Sequence, residues 1–223
     1  MRWVVLWLAA CGHVGFDGTA RGSADAGGLS VVQMQSMLVT DSSTTQIPLT
    51  PTLAGDLLVV MTNNITDTTP LMTVSDDAGD AFVSVSVTFT HDLASCGEVW
   101  YVTNGNGGAA TLTIDDAASV EREVWILELG GGSAFDAVSA TSNEPENGMA
   151  DAPPVSPRRV PAAIVSSALL PGMAGSPGPV FSALPVLHGD DAAFAIVTAP
   201  GTYAPVWMDD ESGNFGAATV AFD

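Results

Sequence analysis

The sequence predicts an all-β protein, an antiparallel, jelly-roll-like β-sandwich in a single domain, and three observations carry that prediction. The 223-residue chain has no lysine and few glutamates but is rich in Val, Thr, Ser, Gly and Asp, a profile of short strands and tight turns. Its apolar runs are short and are punctuated throughout by Gly, Asn and Asp, without helical periodicity between them. Residues 82–89 alternate apolar and hydroxyl side chains, with Val83, Val85 and Val87 on one face, as in a half-buried strand. At 47% hydrophobic the chain can bury a core.

The first element is an address. In MRWVVLWLAAC, Arg2 precedes an apolar run from Trp3 to Ala10. A bilayer core needs about 20 apolar residues, so this run reads as a secretory signal and not a membrane span. Leu8-Ala9-Ala10-Cys11 resembles the lipobox of bacterial lipoproteins. That resemblance implies a signal peptide over residues 1–10, cleavage before Cys11, and acylation of both the thiol and the new amino terminus. Two or more acyl chains anchor firmly where one binds marginally. Gly12 stands where an aspartate would favour the inner membrane, so the expected location is the outer membrane or cell surface. Residues 11–28, rich in Gly and Ala, read as a flexible tether. With Cys11 lipidated the two cysteines cannot form a disulfide, and Cys96 is expected as a small buried or half-buried side chain.

From residue 29 to 223 the chain breaks into expected strands. LSVVQMQSMLVT (29–40) and TTQIPLT (44–50) come first, then DLLVVMTN (56–63). SDDAGD turns the chain into AFVSVSVTFT (81–90), and NGNGG closes EVWYVTN (98–104). ATLTID (110–115) and REVWILELG (122–130) follow, the latter ending in GGGS, before FDAVSAT (135–141). Residues 142–161 form a long polar, Pro-rich connection holding the adjacent Arg158 and Arg159, read as a crossover within one domain. The last strands are expected at 162–170, 179–187, 192–199, 203–209 and 215–223, with HGDD and ESGN as turns.

Charge removes whole classes of function. The chain carries 25 acidic residues against 5 arginines, a net of −20. Nucleic acid and anionic lipid surfaces both demand a basic patch that is absent here. Having no lysine excludes Schiff-base chemistry and a P-loop lysine.

EVWYVTNGNGG at 98–108 is echoed by EVWILELGGGS at 123–133, which reads as two strands of one sandwich. In the first, Glu98, Trp100 and Val102 share a face opposite Val99 and Tyr101; in the second, Glu123, Trp125 and Leu127 oppose Val124, Ile126 and Glu128. Together with AGDLLVVMTNN, LMTVSDDAGDAFVSV and the closing APGTYAPVWMDDESGNFGAATVAF, these stretches resemble a recurrent β-sandwich module of secreted and lipid-anchored bacterial proteins. Its members read GDLLVV, a V-D-x-A-G-N turn, a W-Y-A strand, a T-V-T-V strand and an E-Y-S-G strand end. This chain has Asp80 in place of the Asn, and Glu128-Leu129-Gly130-Gly131 at the strand end. The resemblance implies the fold over residues 29–223 and brings no catalytic set with it.

The candidate chemistry is sparse. Glu98 with Glu123 or Glu128 is a candidate glycosidase pair, since such enzymes set two carboxylates about 5–10 Å apart. Against it, the Glu-x-Asp-x-x-Glu strand of legume-lectin-like glucanases does not occur. Asp76, Asp77 and Asp80, and Asp209, Asp210 and Asn214, offer hard oxygen ligands for Ca²⁺, without the EF-hand order, and Asx turns explain them without a metal. His13, His91 and His188 have no metal-site or triad spacing, GMAGSPG is not a nucleophile elbow, and Asn64-Ile65-Thr66 fits a glycosylation sequon. The expected function is a lipid-anchored, non-catalytic envelope module, its partner a polysaccharide or an envelope protein. Exposed Trp100 or Trp207 is the expected ring platform for a glycan. An envelope hydrolase using the paired glutamates and a structural envelope protein without a small ligand are the alternatives.

Overall fold

β-Branched and aromatic residues put the regular elements of this chain into strands. The computed structural model describes residues 28–64, 73–89, 95–131, 134–143, 149–169, 177–185, 187, 189–208 and 215–223, and among them there is no helix. The first sheet runs β1 (Ser30–Pro48), β6 (Thr111–Gly130), β2 (Leu57–Asn64), β5 (Cys96–Val102), β4 (Val83–Phe89), with β3 (Thr73–Asp76) also on β6. The second runs β10 (Ser182–Ala183), β11 (Asp191–Val197), β9 (Ala162–Leu169), β13 (Phe215–Phe222), β7 (Phe135–Asn143), and a ribbon pairs β8 (Met149–Asp151) with β12 (Val206–Met208). Every pairing is antiparallel, as the sequence predicts for a sandwich.

The two sheets share a core. Leu57, Val59 and Met61 of β2 and Trp125, Leu127 and Leu129 of β6 meet Val165 of β9 and Val220 and Phe222 of β13. A fully buried side chain of this kind contributes about 1.5–3 kcal/mol. The strands at the centre gather that gain on both faces, because all eight residues of β2, of β9 and of β13 are buried. Such strands read as continuous apolar runs and not as alternation.

What covers the outer face of the first sheet is the same sheet folded over. The stretches 29–40 and 44–50, expected as two strands, are the single strand β1, and 110–115 and 122–130 are both in β6. Neither 41–43 nor 116–121 holds a Gly or Pro to stop a strand. The ladder continues through register shifts at Val39/Ser42 and Ser42/Thr44, and bulges of that kind bend a strand without ending it. One half of β6 pairs with β2 and the other with β3. The bend lays Ile47, Val74, Leu112 and Ile114 over Leu58, Val60, Val124 and Ile126 as a second core.

Smaller departures have local causes. β3 and β8 are additional strands, three or four residues long. The strand expected at 179–187 shrinks to Ser182–Ala183, flanked by prolines that cannot donate to a ladder. In β4 the register shifts between Ser84 and Ser86, so Val83 is 50% exposed while Val85 packs on the inter-sheet core. The expected common face of those valines is therefore broken. Within 142–161, β7 and β8 take up both ends of the early part, and further on the Arg158 N–H donates to Asp136 Oδ2 at 2.6 Å, with Nε 3.3 Å from Oδ1.

Candidate functional site

The two EVW stretches flank β2, and register decides what each presents. Thr62 pairs with Glu98 on one side and with Val124, not Glu123, on the other. A one-residue offset turns every side chain to the opposite face. Glu98 and Trp100 therefore lie on the outer face with Leu58 and Val60, whereas Glu123 and Trp125 lie on the inner one. Glu98 and Glu123 cannot flank one bond. Glu98 and Glu128 share a face but pair with Thr62 and Leu58. That spacing sets them about 13 Å apart along the sheet and about 10 Å across it, roughly 16 Å in all. All three glutamates are buried.

Trp100 packs, half-buried, against the folded-over core. Its indole N–H donates to Glu98 Oε2 at 2.9 Å. Behind it Arg122 reaches Glu98 Oε1 at 3.9 Å, contacts Thr62 Oγ1 at 3.4 Å and forms an ion pair with Asp116. Trp100 thus closes a buried charge cluster and is not a free platform. Trp207 is a clearer correction, since it is fully buried with Ala152, Ala168, Ala193 and Phe215. The pairing of β12 with β8 lays Trp207 onto the outer face of the second sheet, and its Nε1 meets no acceptor.

The aspartates of SDDAGD stitch loops together. Asp76 Oδ1 accepts the Ala78 and Asp80 amides at 3.1 and 3.0 Å, and Asp77 Oδ1 accepts those of Ala110 and Thr111 at 2.8 and 3.1 Å. Asp80 Oδ1 accepts Asn106 N at 2.7 Å. Burial pushes the Asp76 carboxyl above its ordinary range, against the pull of the Asp80 amide and with the Asp80 charge adding to the rise. Among the described residues no group of three or more His, Cys, Asp or Glu is arranged to hold a metal ion. Asp209, Asp210, Asn214, the three histidines and Cys11 lie outside the described residues. Cys96 is fully buried, as expected.

That turn shares one end of the first sheet with Glu128 and with Asp56, a residue the sequence marks only as the start of DLLVV. Glu128 Oε1 accepts Leu53 N at 2.7 Å, and Oε2 accepts Gln33 Nε2 at 2.5 Å. Asp56, Asp80 and Glu128 line one cavity of about 10 Å³ with Leu53, Leu58 and Val102. Burial, then the charge of Glu128 and a hydrogen bond with it, push the Asp56 carboxyl up to about 6.

A larger opening lies on the outer face of the second sheet, a groove of about 160 Å³ bordered by Pro177, Pro179, Phe181, Thr202, Tyr203 and Val206. Tyr203 is held by backbone hydrogen bonds of 2.9 Å in both directions with Val155, and its hydroxyl donates to Ala199 O at 2.6 Å. Thr202 and Ser156 hydroxyls meet at 2.9 Å beside it. The groove presents two partly buried rings, with the Thr202 and Ser156 hydroxyls at its edge. No family model matches the chain, and no curated protein and no solved structure matches it either.

Proposed function

We propose that this chain is a lipid-anchored, non-catalytic binding module of the cell envelope, held through Cys11, and that a glycan binds in the groove beside Tyr203 and Phe181. The observation that carries the reading is the groove itself. Aromatic rings give sugars an apolar platform, and Thr202 and Ser156 supply hydroxyls at its edge. At about 160 Å³ it is smaller than the 300–1,000 Å³ of ordinary small-molecule pockets and suits a polymer passing over it. The lipobox-like Leu8-Ala9-Ala10-Cys11 and the acidic, lysine-free composition support an envelope location. The paired-glutamate hydrolase loses its support from the geometry above, since its carboxylates are on opposite faces or about 16 Å apart.

A glycan array and a polysaccharide pull-down with the mature chain test the binding. Tyr203→Ala is expected to weaken saturable binding at least tenfold, and Trp100→Ala to leave it unchanged. Binding lost equally in both variants would remove the groove from the reading. No binding to any glycan would leave a structural envelope protein, and sensitivity to chelator would return the aspartates to the role of ion ligands.

A further inference from the structure

We propose that residues 49–56 form a pH-responsive strap, clasped to the end of the first sheet by a proton held between Asp56 and Glu128 and loosened when that proton leaves. The strap is fastened on one side by a ladder. Leu49 N donates to Ala110 O at 2.8 Å, Thr52 N to Ala109 O at 3.0 Å, Gly108 N to Thr52 O at 2.7 Å and Gly55 N to Gly105 O at 2.9 Å. On the other side it is fastened through carboxylates, because Leu53 N donates to Glu128 Oε1.

The surroundings of that second fastening make it sensitive to charge. Glu128 is fully buried on β6, and both of its oxygens already accept hydrogen bonds, from the strap and from Gln33 of β1. Asp56 Oδ2 is shut off from water, and among the described residues no N–H or hydroxyl reaches it. Asp80 faces the same cavity from the turn after β3, on which Asp76 and Asp77 also sit. β2 and β5 contribute only Leu58 and Val102, and the 104–108 turn contributes Gly105. Among the described residues no arginine or histidine lines the cavity. A space of about 10 Å³ holds at most about one water between these carboxylates.

The direction follows from the Asp56 carboxyl, which titrates near 6 in the closed strap and has an ordinary value of 3.8. A carboxyl with a raised value favours the closed form most below the ordinary value, and loses that contribution as pH climbs from about 4 to 6. Above about 6 the loss is complete. With those two values the opening constant of the strap rises about tenfold between pH 5 and 7.5.

Amide hydrogen exchange at Leu53, Gly55 and Gly108 in the full-length chain, corrected for intrinsic exchange, reads that constant directly. The amide of Val220, in the inter-sheet core, is the internal reference. We expect the tenfold rise in the wild type and a flat profile in Asp56→Asn, which cannot ionise. A flat wild-type profile overturns the proposal, and so does a rise that persists in Asp56→Asn. Should that variant fail to fold, the carboxyl carbon of Asp56 in the wild type decides. A midpoint near 6 supports the clasp, and one near 4 sinks it.

Discussion

Arg122→Leu offers the sharpest test of how the folded-over sheet is sealed. Three arginines fall within residues 29–223, and Arg122 is buried, 2% exposed beside Asp116 and Glu98. Removing it takes the cation away from two buried carboxylates beneath the bend of β1 and β6. Breaking a buried pair from one side costs about 3–5 kcal/mol, because the surviving charge stays desolvated. For a domain of this size about 1 kcal/mol moves the melting midpoint by 2–4 °C, so the expected fall is roughly 6–20 °C. Differential scanning calorimetry and urea unfolding both measure it. Arg158→Leu is the control. Its side chain is 81% exposed, and Asp136 keeps the Arg158 backbone N–H, so the expected cost is about 0–1 kcal/mol. The triple variant Glu98→Leu, Asp116→Leu, Arg122→Leu is expected to recover most of the loss, since an apolar replacement removes the buried charge altogether. An Arg122→Leu cost below about 1 kcal/mol, or one equal to that of Arg158→Leu, would mean that water reaches the cluster and that the fold-over does not seal it.

Two further outcomes follow from the backbone. Gly107 has φ +76°, and a Cβ there would stand 2.4 Å from Ala54 N, so Gly107→Ala must displace the strap as well as strain the turn. Gly79, at φ +77° with nothing within 4 Å, suffers only the strain of about 1–2 kcal/mol, and urea midpoints are expected to rank Gly107→Ala well below Gly79→Ala. Trypsin is expected to cut after the exposed Arg158 or Arg159. The two pieces should still co-elute in native size exclusion, because β13 hydrogen-bonds β7 across that cut over its whole length; separation of the pieces would contradict that ladder.

Strand content was legible because local composition sets it. Val, Ile, Thr and aromatic runs between glycines mark strands wherever they fall, and β2, β5, β9, β11 and β13 sit within a few residues of their expected places. What composition does not carry is whether a polar gap ends a strand or bends it. Asp41-Ser42-Ser43 looks like a turn, yet the ladder to β6 runs on through it. Burial of the rings was equally hidden. Trp207 belongs to a three-residue strand whose partner, β8, lies in the Pro-rich crossover, and nothing in YAPVWMD reveals that the ribbon folds down onto the second sheet.

The carboxylates show the same limit from the side of function, and also what the composition does foretell. Asp56 and Asp80 come from two separate connections and Glu128 from β6, and they meet only because Leu57 pairs with Leu129 and the 76–80 turn is stitched to 104–111. Register brings them together, and register is set by tertiary packing. The missing lysines, however, are visible in the sequence from the start. A chain with 25 acids and 5 arginines has too few cations to pair each acid, and Arg122 and Arg158 supply ion pairs to Asp116 and Asp136. The other carboxylates on this end accept backbone amides, as Asp76, Asp77 and Asp80 do, or hold a proton to higher pH, as Asp56 does beside Glu128. The second puts a carboxyl's titration at about 6. In the proposed clasp, the carboxyl that titrates has a buried oxygen that no amide reaches among the described residues.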